Sequence, residues 1–208
     1  MTEEEARRQV AATMARCYNR GLTTSTGGNC SCRVGELMAI TPSGKDKSSL
    51  NADDIALLDI ATGKRFGSGL PLSIETEMHR QIYSVRSDVN AIVHSHPVYC
   101  CLFSASAEEI DLSVIAESWY LMGGRLAKVP YARMGTEKLA VSVAEYAAEN
   151  DVLLLENHGA IALGSALLQA FDRLECLEQA AKLTALSHII PISGITEIQK
   201  NEINEMRK

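Results

Sequence analysis

Two histidines separated by a single residue, in the segment Ile92-Val93-His94-Ser95-His96-Pro97, constrain the fold of this chain more than any other feature. The apolar, β-branched residues before them predict a buried strand. Side chains alternate between the faces of a strand, so His94 and His96 point the same way. A third histidine, His158, follows a second apolar run at residues 152–155. Two strand ends must therefore lie side by side if the three imidazoles are to meet.

Three imidazoles from two strand ends are a typical ligand set for a tetrahedral metal whose fourth position is open to water or substrate. We therefore predict that His94, His96 and His158 bind Zn²⁺ or another divalent transition metal, since the spacing does not discriminate among these ions. Isolated histidines more often form hydrogen bonds in a core or at a surface. That is the prediction for the other two histidines, His79 and His188.

A carboxylate precedes the histidine strand by one helix. Glu75 begins a helix predicted over residues 75–86, with Ser73 as its N-cap. A carboxylate at a helix start is commonly there because the helix dipole stabilises it. Beside a metal that polarises a carbonyl, the same carboxylate can remove the acidified C–H proton, so we predict Glu75 as a general base. Glu77 is a spare candidate on another side of the helix, whereas His79 lies one turn after Glu75 and could support it.

Three polar segments carry groups that cradle phosphate: Thr26-Gly27-Gly28-Asn29, Ser43-Gly44-Lys45 and Ser73. Backbone N–H groups, hydroxyls and amides of this kind bind phosphate, especially near helix N-termini. None of the segments matches a phosphate-loop or dinucleotide fingerprint. Taken singly, each is typical of an ordinary turn.

The composition is that of a globular protein, with 46% hydrophobic and 22% charged residues among 208, and predicts a single domain over residues 1–208. A net charge of −6 without a Lys/Arg cluster indicates no nucleic-acid partner and no membrane surface. The acidic N-terminus lacks a secretory signal, and no apolar run is long enough to span a bilayer, so we expect a cytoplasmic protein. The six cysteines are expected to be small buried hydrophobes.

Helical and strand patterns interleave along the chain, which predicts a mixed sheet covered by helices on both faces. A hairpin is predicted at Gly35-Glu36. Residues 107–123 indicate a mixture of strand and short helix. The predicted helices cover residues 3–20, 75–86, 136–149 and 167–188 with a short one in the tail. The predicted strands cover 30–34, 37–40, part of 53–59, the histidine strand with Ile92-Val93, 128–131, 152–155 and 160–163.

The motifs, taken together and in order, resemble those of the class II aldolase and adducin-head family. The resemblance runs from about residue 5 to residue 190. It implies a single three-layer α/β/α domain with a central mixed, largely antiparallel sheet, and a homotetramer with sites between subunits. The motifs are Gly28-Asn29-Cys30-Ser31-Cys32-Arg33, Ile40-Thr41-Pro42-Ser43-Gly44, Ser73-Ile74-Glu75 with His79, Val93-His94-Ser95-His96, Pro130-Tyr131-Ala132 with Gly135-Thr136, and Asn157-His158-Gly159.

The resemblance also implies an activity: metal-dependent cleavage of a ketose 1-phosphate similar to fuculose 1-phosphate. The products are dihydroxyacetone phosphate and an aldehyde, formed through an enediolate that the metal stabilises. The three histidines then correspond to zinc ligands and Glu75 to the acid/base. The substrate's phosphate would bind to Gly28, Asn29, Ser43, Gly44 and Ser73.

The chain departs from the aldolase pattern at several positions. Fuculose aldolase has a serine directly before the glutamate, where this chain has Ile74; Lys45 is the candidate to replace the lost phosphate contact. The aldolase also uses a tyrosine of the neighbouring subunit, for which Glu117 and Tyr120 are the candidates here. No tyrosine follows Tyr146, so a tyrosine in the tail is absent.

Two other classes of function remain open. The same site can serve a sugar-phosphate dehydratase, decarboxylase or 4-epimerase, although epimerases of the family carry aspartate in place of Glu75. A non-catalytic interaction domain similar to the adducin head is the third hypothesis. Such a domain has no need of the histidines, all three of which are present here.

Overall fold

Eight strands form one sheet in the computed structural model, which describes residues 1–67 and 69–207. The strands are β1 (Asn29–Val34), β2 (Leu37–Ile40), β3 (Ala56–Asp59), β4 (Arg65–Gly67), β5 (Ala91–Ser95), β6 (Ala127–Val129), β7 (Val152–Leu155) and β8 (Gly159–Gly164). Their order across the sheet is β4-β3-β2-β1-β5-β8-β7-β6. Among these described strands, β6 and β7 pair in parallel and the other neighbours pair antiparallel. The predicted mixed, largely antiparallel sheet is confirmed.

Helices cover both faces of the sheet. They are α1 (Glu3–Asn19), α2 (Thr76–Val85), α3 (Val98–Ser104), α4 (Ala116–Met122), α5 (Glu137–Ala147), α6 (Leu167–Ser187) and α7 (Glu197–Met206). One apolar core lies between the sheet and α1, α3, α4 and α6, and a second lies between the sheet and α2 and α5. The fold is thus the three-layer α/β/α arrangement that the sequence predicts.

Alternation along the strands divides residues between the two cores. In β5, Ala91 and Val93 belong to the first core, whereas Ile92 belongs to the second. By the same alternation His94 faces the layer of α2 and α5. In β1, Cys30 and Cys32 face the first core, so Asn29 and Ser31 also face α2.

Several local predictions need correction. Ser73 is not the N-cap of α2: Glu75, with φ −103° and ψ 14°, holds that position. Ser73 accepts hydrogen bonds from the N–H groups of the two residues that begin the helix, Glu75 to its hydroxyl and Thr76 to its carbonyl. Residues 107–115 lie within the described chain and contain no strand; helix α4 follows them. Two short elements, α3 and the edge strand β4, were not predicted, because neither is long enough to show a period.

All six cysteines are free thiols. The prediction that they are small buried residues is confirmed for all except Cys101, which is partly exposed. Among the described residues, none of the helices combines the length and the apolar character required to cross a bilayer.

Candidate metal centre

The three predicted histidines come together at one edge of the sheet. His94 is the second-last residue of β5, and His96 directly follows that strand. His158 lies in the turn between β7 and β8. Strands β5 and β8 are paired neighbours, so the end of β5 lies next to this turn. The ring centroids are 4.9 Å apart for His94 and His96, 4.8 Å for His94 and His158, and 5.2 Å for His96 and His158. Their potential ligand atoms all lie within 4.8 Å of one another.

Hydrogen bonding and burial favour the ligating form of these rings. The Nδ1–H of His94 donates to the carbonyl of Ala160 at 3.0 Å, which leaves the Nε2 lone pair free. Burial lowers the pKa of both His94 and His96 to about 3, with a smaller contribution from the neighbouring histidines. Neutral imidazole is the form that binds a metal. The Nε2 atoms of both residues are buried without a hydrogen-bond partner among the described residues.

Close backbone approach around the histidines requires residues without a side chain or with a left-handed conformation. Gly28 has φ +67°, and a Cβ there would lie 2.7 Å from the carbonyl oxygen of His94. A Cβ at Gly159 would lie 2.7 Å from Cδ2 of His96. Asn157 has φ 54°, the only positive φ of a non-glycine residue in the described chain. These positions let two loops close around the imidazoles.

The Glu75 carboxylate lies among the histidines. Its Oε2 is 3.3 Å from Nε2 of His94, and its Oε1 is 3.3 Å from Nε2 of His158. The side-chain amide of Asn29 donates to Oε2 at 2.7 Å. Oε1 is buried and has no hydrogen-bond partner within the described part of the chain. The arrangement combines three imidazoles with one carboxylate whose second oxygen is available for chemistry.

These residues fit a divalent transition metal. Buried Nε2 atoms without partners are costly unless another ligand satisfies them. Imidazole nitrogens are suitable ligands for zinc, iron, copper and nickel ions alike. The candidate centre therefore supports a divalent metal without selecting one.

A cavity of about 410 Å³ opens beside the histidines. Of the residues predicted to bind phosphate, Gly28, Asn29, Ser43 and Ser73 line it. Gly44 and Lys45 are not among the lining residues; the Lys45 ammonium lies 3.0 Å from a carboxylate oxygen of Asp54. The other lining residues are Thr26, Gly27, Pro42, Lys47, Ile74, Glu75, His96, Met134, Asn157 and His158.

Backbone hydrogen bonds assemble the polar loops around this cavity. The N–H of Ser43 donates to the carbonyl of Pro71 at 2.9 Å, and the N–H of Lys47 donates to the carbonyl of Ser25 at 2.8 Å. Segments that are distant in sequence thus form one wall. Their convergence explains why three ordinary-looking turns can form a single anion-binding surface.

Lys47 is a lining residue that sequence reasoning missed. Its side chain is 1% exposed, and its ammonium donates to the carbonyl of Pro42 at 2.7 Å. Burial lowers its pKa. A lysine two positions after Lys45 gives no sequence signal, because the hydrogen bond from the Lys47 N–H to Ser25 joins segments that are distant in the sequence.

Three other candidates lie away from the cavity of a single chain. Glu117 and Tyr120 are exposed residues of α4, and neither lines the cavity. Glu77 binds Arg80 and Gln81 on the surface of α2. His188 also lies at the surface, 3.1 Å from a carboxylate oxygen of Glu108.

The chain matches the family described as Class II Aldolase and Adducin N-terminal domain over residues 8–185. It is 38% identical over 173 residues to the L-fuculose phosphate aldolase of Methanococcus vannielii, covering 83% of this chain and 90% of that protein. It is 33% identical over 171 residues to the 3-oxo-tetronate 4-phosphate decarboxylase of Haemophilus influenzae, covering 80% of each. A solved structure described as L-fuculose 1-phosphate aldolase has TM-score 0.88 and 29% identity, covering 97% of this chain and 95% of that one.

Proposed function

Because the chain belongs to the class II aldolase and adducin N-terminal domain family, we propose that it is a metal-dependent aldolase acting on a ketose 1-phosphate. The substrate would be similar to fuculose 1-phosphate, and the products would be dihydroxyacetone phosphate and an aldehyde. The observation that carries the proposal is the Glu75 carboxylate, which lies 3.3 Å from two of the three clustered imidazoles. The similarity to L-fuculose phosphate aldolases supports it.

His94, His96 and His158 are the proposed metal ligands, and Zn²⁺ is the proposed ion. Their clustering and the unpartnered Nε2 atoms of His94 and His96 support this assignment. A divalent metal held there would supply a Lewis acid for negative charge that develops on the substrate's oxygen atoms.

Glu75 is the proposed proton carrier. Cleavage breaks the bond between the third and fourth carbons of the ketose and leaves the electron pair on the third carbon. The hydroxyl proton of the fourth carbon leaves as the aldehyde forms, and the third carbon takes up one proton, so protons balance. The free Oε1 of Glu75 is suited to deliver that proton, because Asn29 already occupies Oε2.

The phosphate of the substrate would bind where the polar loops meet. Gly28, Asn29, Ser43 and Ser73 line the cavity, which supports their assignment, and Lys47 adds a buried positive charge. Phosphate binding by an ammonium and backbone N–H groups follows from charge and hydrogen bonding. Gly44 and Lys45 remain predictions from the sequence.

We assign the aldehyde oxygen to Glu117 or Tyr120 of a neighbouring subunit. Both residues are exposed in the single chain, which is compatible with a role across an interface. The assembly that this requires is the homotetramer implied by the family resemblance.

Substitution of the proton carrier tests the proposal. The Glu75→Gln side chain keeps the shape of glutamate but cannot carry a proton, so we expect kcat to fall by about 10²–10⁴-fold. Activity is measured as dihydroxyacetone phosphate formed from fuculose 1-phosphate, and bound metal is measured in the same samples. Glu77→Gln, on the surface of the same helix, is the matched control and should retain activity. Full activity of metal-loaded Glu75→Gln would show that the assignment is wrong.

Decarboxylation is the alternative, supported by the 33% identity to 3-oxo-tetronate 4-phosphate decarboxylase. Loss of CO₂ also leaves an electron pair on a carbon next to a carbonyl, so Glu75 could return a proton there as well. Product analysis with fuculose 1-phosphate and with 3-oxo-tetronate 4-phosphate discriminates aldol cleavage from decarboxylation. It also detects a dehydrated or epimerised sugar phosphate. If the purified protein forms no product from either substrate and contains no bound metal, the non-catalytic interaction domain is favoured instead.

A further inference from the structure

A series of buried hydrogen bonds leads away from Glu75 between β1 and α2. Asn29 donates to Glu75 Oε2 at 2.7 Å, and its Oδ1 lies 2.6 Å from Nε2 of His79. Nδ1 of His79 lies 2.7 Å from Oγ of Ser31, which is 2.9 Å from the hydroxyl of Tyr83. No member of the series is more than 5% exposed.

The periods of the two elements produce this arrangement. Glu75, His79 and Tyr83 are spaced by four residues, so they follow one side of α2. Asn29 and Ser31 are two residues apart and lie on the same face of β1. Two polar stripes therefore meet inside the layer that α2 forms with the sheet.

The direction of every hydrogen bond follows from valence. The Asn29 amide nitrogen donates to the carboxylate, so its oxygen must accept, and Nε2 of His79 must be the donor. Burial lowers the pKa of His79 to about 3, with a further lowering by His94, so the ring is neutral and its Nδ1 accepts from Ser31. The Ser31 oxygen then accepts from the hydroxyl of Tyr83. All donors thus point toward Glu75.

We propose that His79 is a positioning residue for the reaction at Glu75. By donating through Nε2, it fixes the Asn29 amide with its nitrogen toward Oε2, which holds the carboxylate and leaves Oε1 free. Ser31 and Tyr83 fix the His79 tautomer in turn. The inference rests on the proposed role of Glu75 in proton transfer.

A purely structural role explains the series less well. Burying these five polar side chains costs desolvation free energy. Apolar residues at the same positions would fill the layer without that cost. Each bond is also needed to satisfy the next group, so the loss of one leaves a buried group unpaired. The series ends on Glu75, whose carboxylate lies among the candidate metal ligands.

Graded substitutions test the proposal. His79→Phe keeps a ring but removes both nitrogens, and we expect kcat to fall about tenfold or more with unchanged bound metal. KM should change less than kcat, since Asn29 also lines the proposed phosphate site. His79→Gln can still donate toward Asn29 and should recover part of that loss. Ser31→Ala should lose less than His79→Phe, and Tyr83→Phe less again, because each lies farther from Glu75. A raised KM or a loss of bound metal with kcat unchanged would overturn the proposal.

A packing control separates positioning from stability. Ile82→Val lies on α2, is fully buried and has no part in the series. It should lower the unfolding temperature while leaving kcat unchanged. If kcat of the His79, Ser31 and Tyr83 variants followed the unfolding temperature in the same way as Ile82→Val, positioning would be excluded.

A readout without catalysis distinguishes failure of this inference from failure of the proposed function. Nitrogen NMR of the metal-loaded wild-type protein, with His79 assigned by its substitution, should show a proton on Nε2 and none on Nδ1. A proton on Nδ1 would overturn the network whatever the reaction. If the wild-type protein cleaves no ketose 1-phosphate, the proposed function fails, and the tautomer still decides whether the hydrogen-bond series exists.

Discussion

At the scale of single residues, Lys47 brings a positive charge into the wall of the cavity. Its ammonium has a hydrogen bond to Pro42, and among the described residues no carboxylate forms an ion pair with it. A buried cation without a counter-ion is costly, and its lowered pKa reflects the loss of water. A phosphate bound nearby would provide the missing negative charge.

The corresponding prediction compares two lysines. Lys47→Met should raise KM for a ketose 1-phosphate about tenfold or more, because a hydrogen bond between charged groups is lost, while kcat changes little. Lys45 is half-exposed and paired with Asp54, so Lys45→Met should leave KM close to the wild-type value. Steady-state kinetics check both variants. If only Lys45→Met raised KM, the contact inferred from the sequence would be the right one.

The sequence predicted the histidine cluster because the residue spacings that indicate it lie within short segments. His94 lies in β5, His96 directly follows that strand, and His158 follows a second apolar run. Alternation and strand ends therefore predicted that the three rings meet, and the family resemblance supported their role as ligands. The sequence could not show whether Lys45 or Lys47 lines the cavity. That choice depends on the hydrogen bond between Lys47 N–H and Ser25, which joins segments on different loops.

At the scale of elements, the turn between β7 and β8 aims His158. The His158 N–H donates to the Leu155 carbonyl at 3.0 Å, and Asn157 at φ 54° reverses the chain between them. Asparagine tolerates the left-handed region better than other residues with a side chain, and β-branched residues tolerate it poorly.

Substitutions at Asn157 test this turn. Asn157→Val should cost about 1–2 kcal/mol in the free energy of unfolding and weaken metal binding, because His158 would shift with the turn. Asn157→Gly can adopt the same φ and should retain bound metal. Denaturant unfolding in the presence of a chelator and metal analysis of purified protein measure the two effects. Equal metal binding by both variants would contradict a role of the turn in aiming His158.

Strand β1 shows why the environment of Glu75 was harder to predict than the metal ligands. Its residues alternate between Asn29 or Ser31 and the two cysteines Cys30 and Cys32. In a sheet with one solvated face, such polar positions point to water. Here helices cover both faces, so the polar face of β1 is buried against α2. The sequence carries the alternation but not the identity of the covering helix.

At the scale of the whole molecule, the strand order decides which loops meet. Strand β1 lies between β2 and β5, and β8 lies on the other side of β5. Loops that are distant in the sequence therefore meet at the same end of these strands. Predicted helices and strands alone do not determine this order, because many orders satisfy the same pattern. The family resemblance predicted the architecture, which the hydrophobic periodicities of the helices and strands could not determine.

The position of Glu117 and Tyr120 leads to a prediction about assembly. Both lie on the exposed side of α4 and outside the cavity of their own chain. If they serve the neighbouring subunit of a cyclic homotetramer, each site combines Glu75 of one chain with α4 of the next. Light scattering should then give a tetramer of 22.6 kDa chains.

Mixing two inactive variants tests this composite site. One variant carries Glu75→Gln, and the other carries Glu117→Gln with Tyr120→Phe. Random reassembly after mild dissociation should restore about one quarter of the wild-type activity, since half of the chains keep Glu75 and half of their neighbours keep α4 intact. Each variant treated alone in the same way is the control. Activity that stays at the level of the separate variants would place these residues outside the site, and full activity of the α4 variant alone would remove them from the reaction.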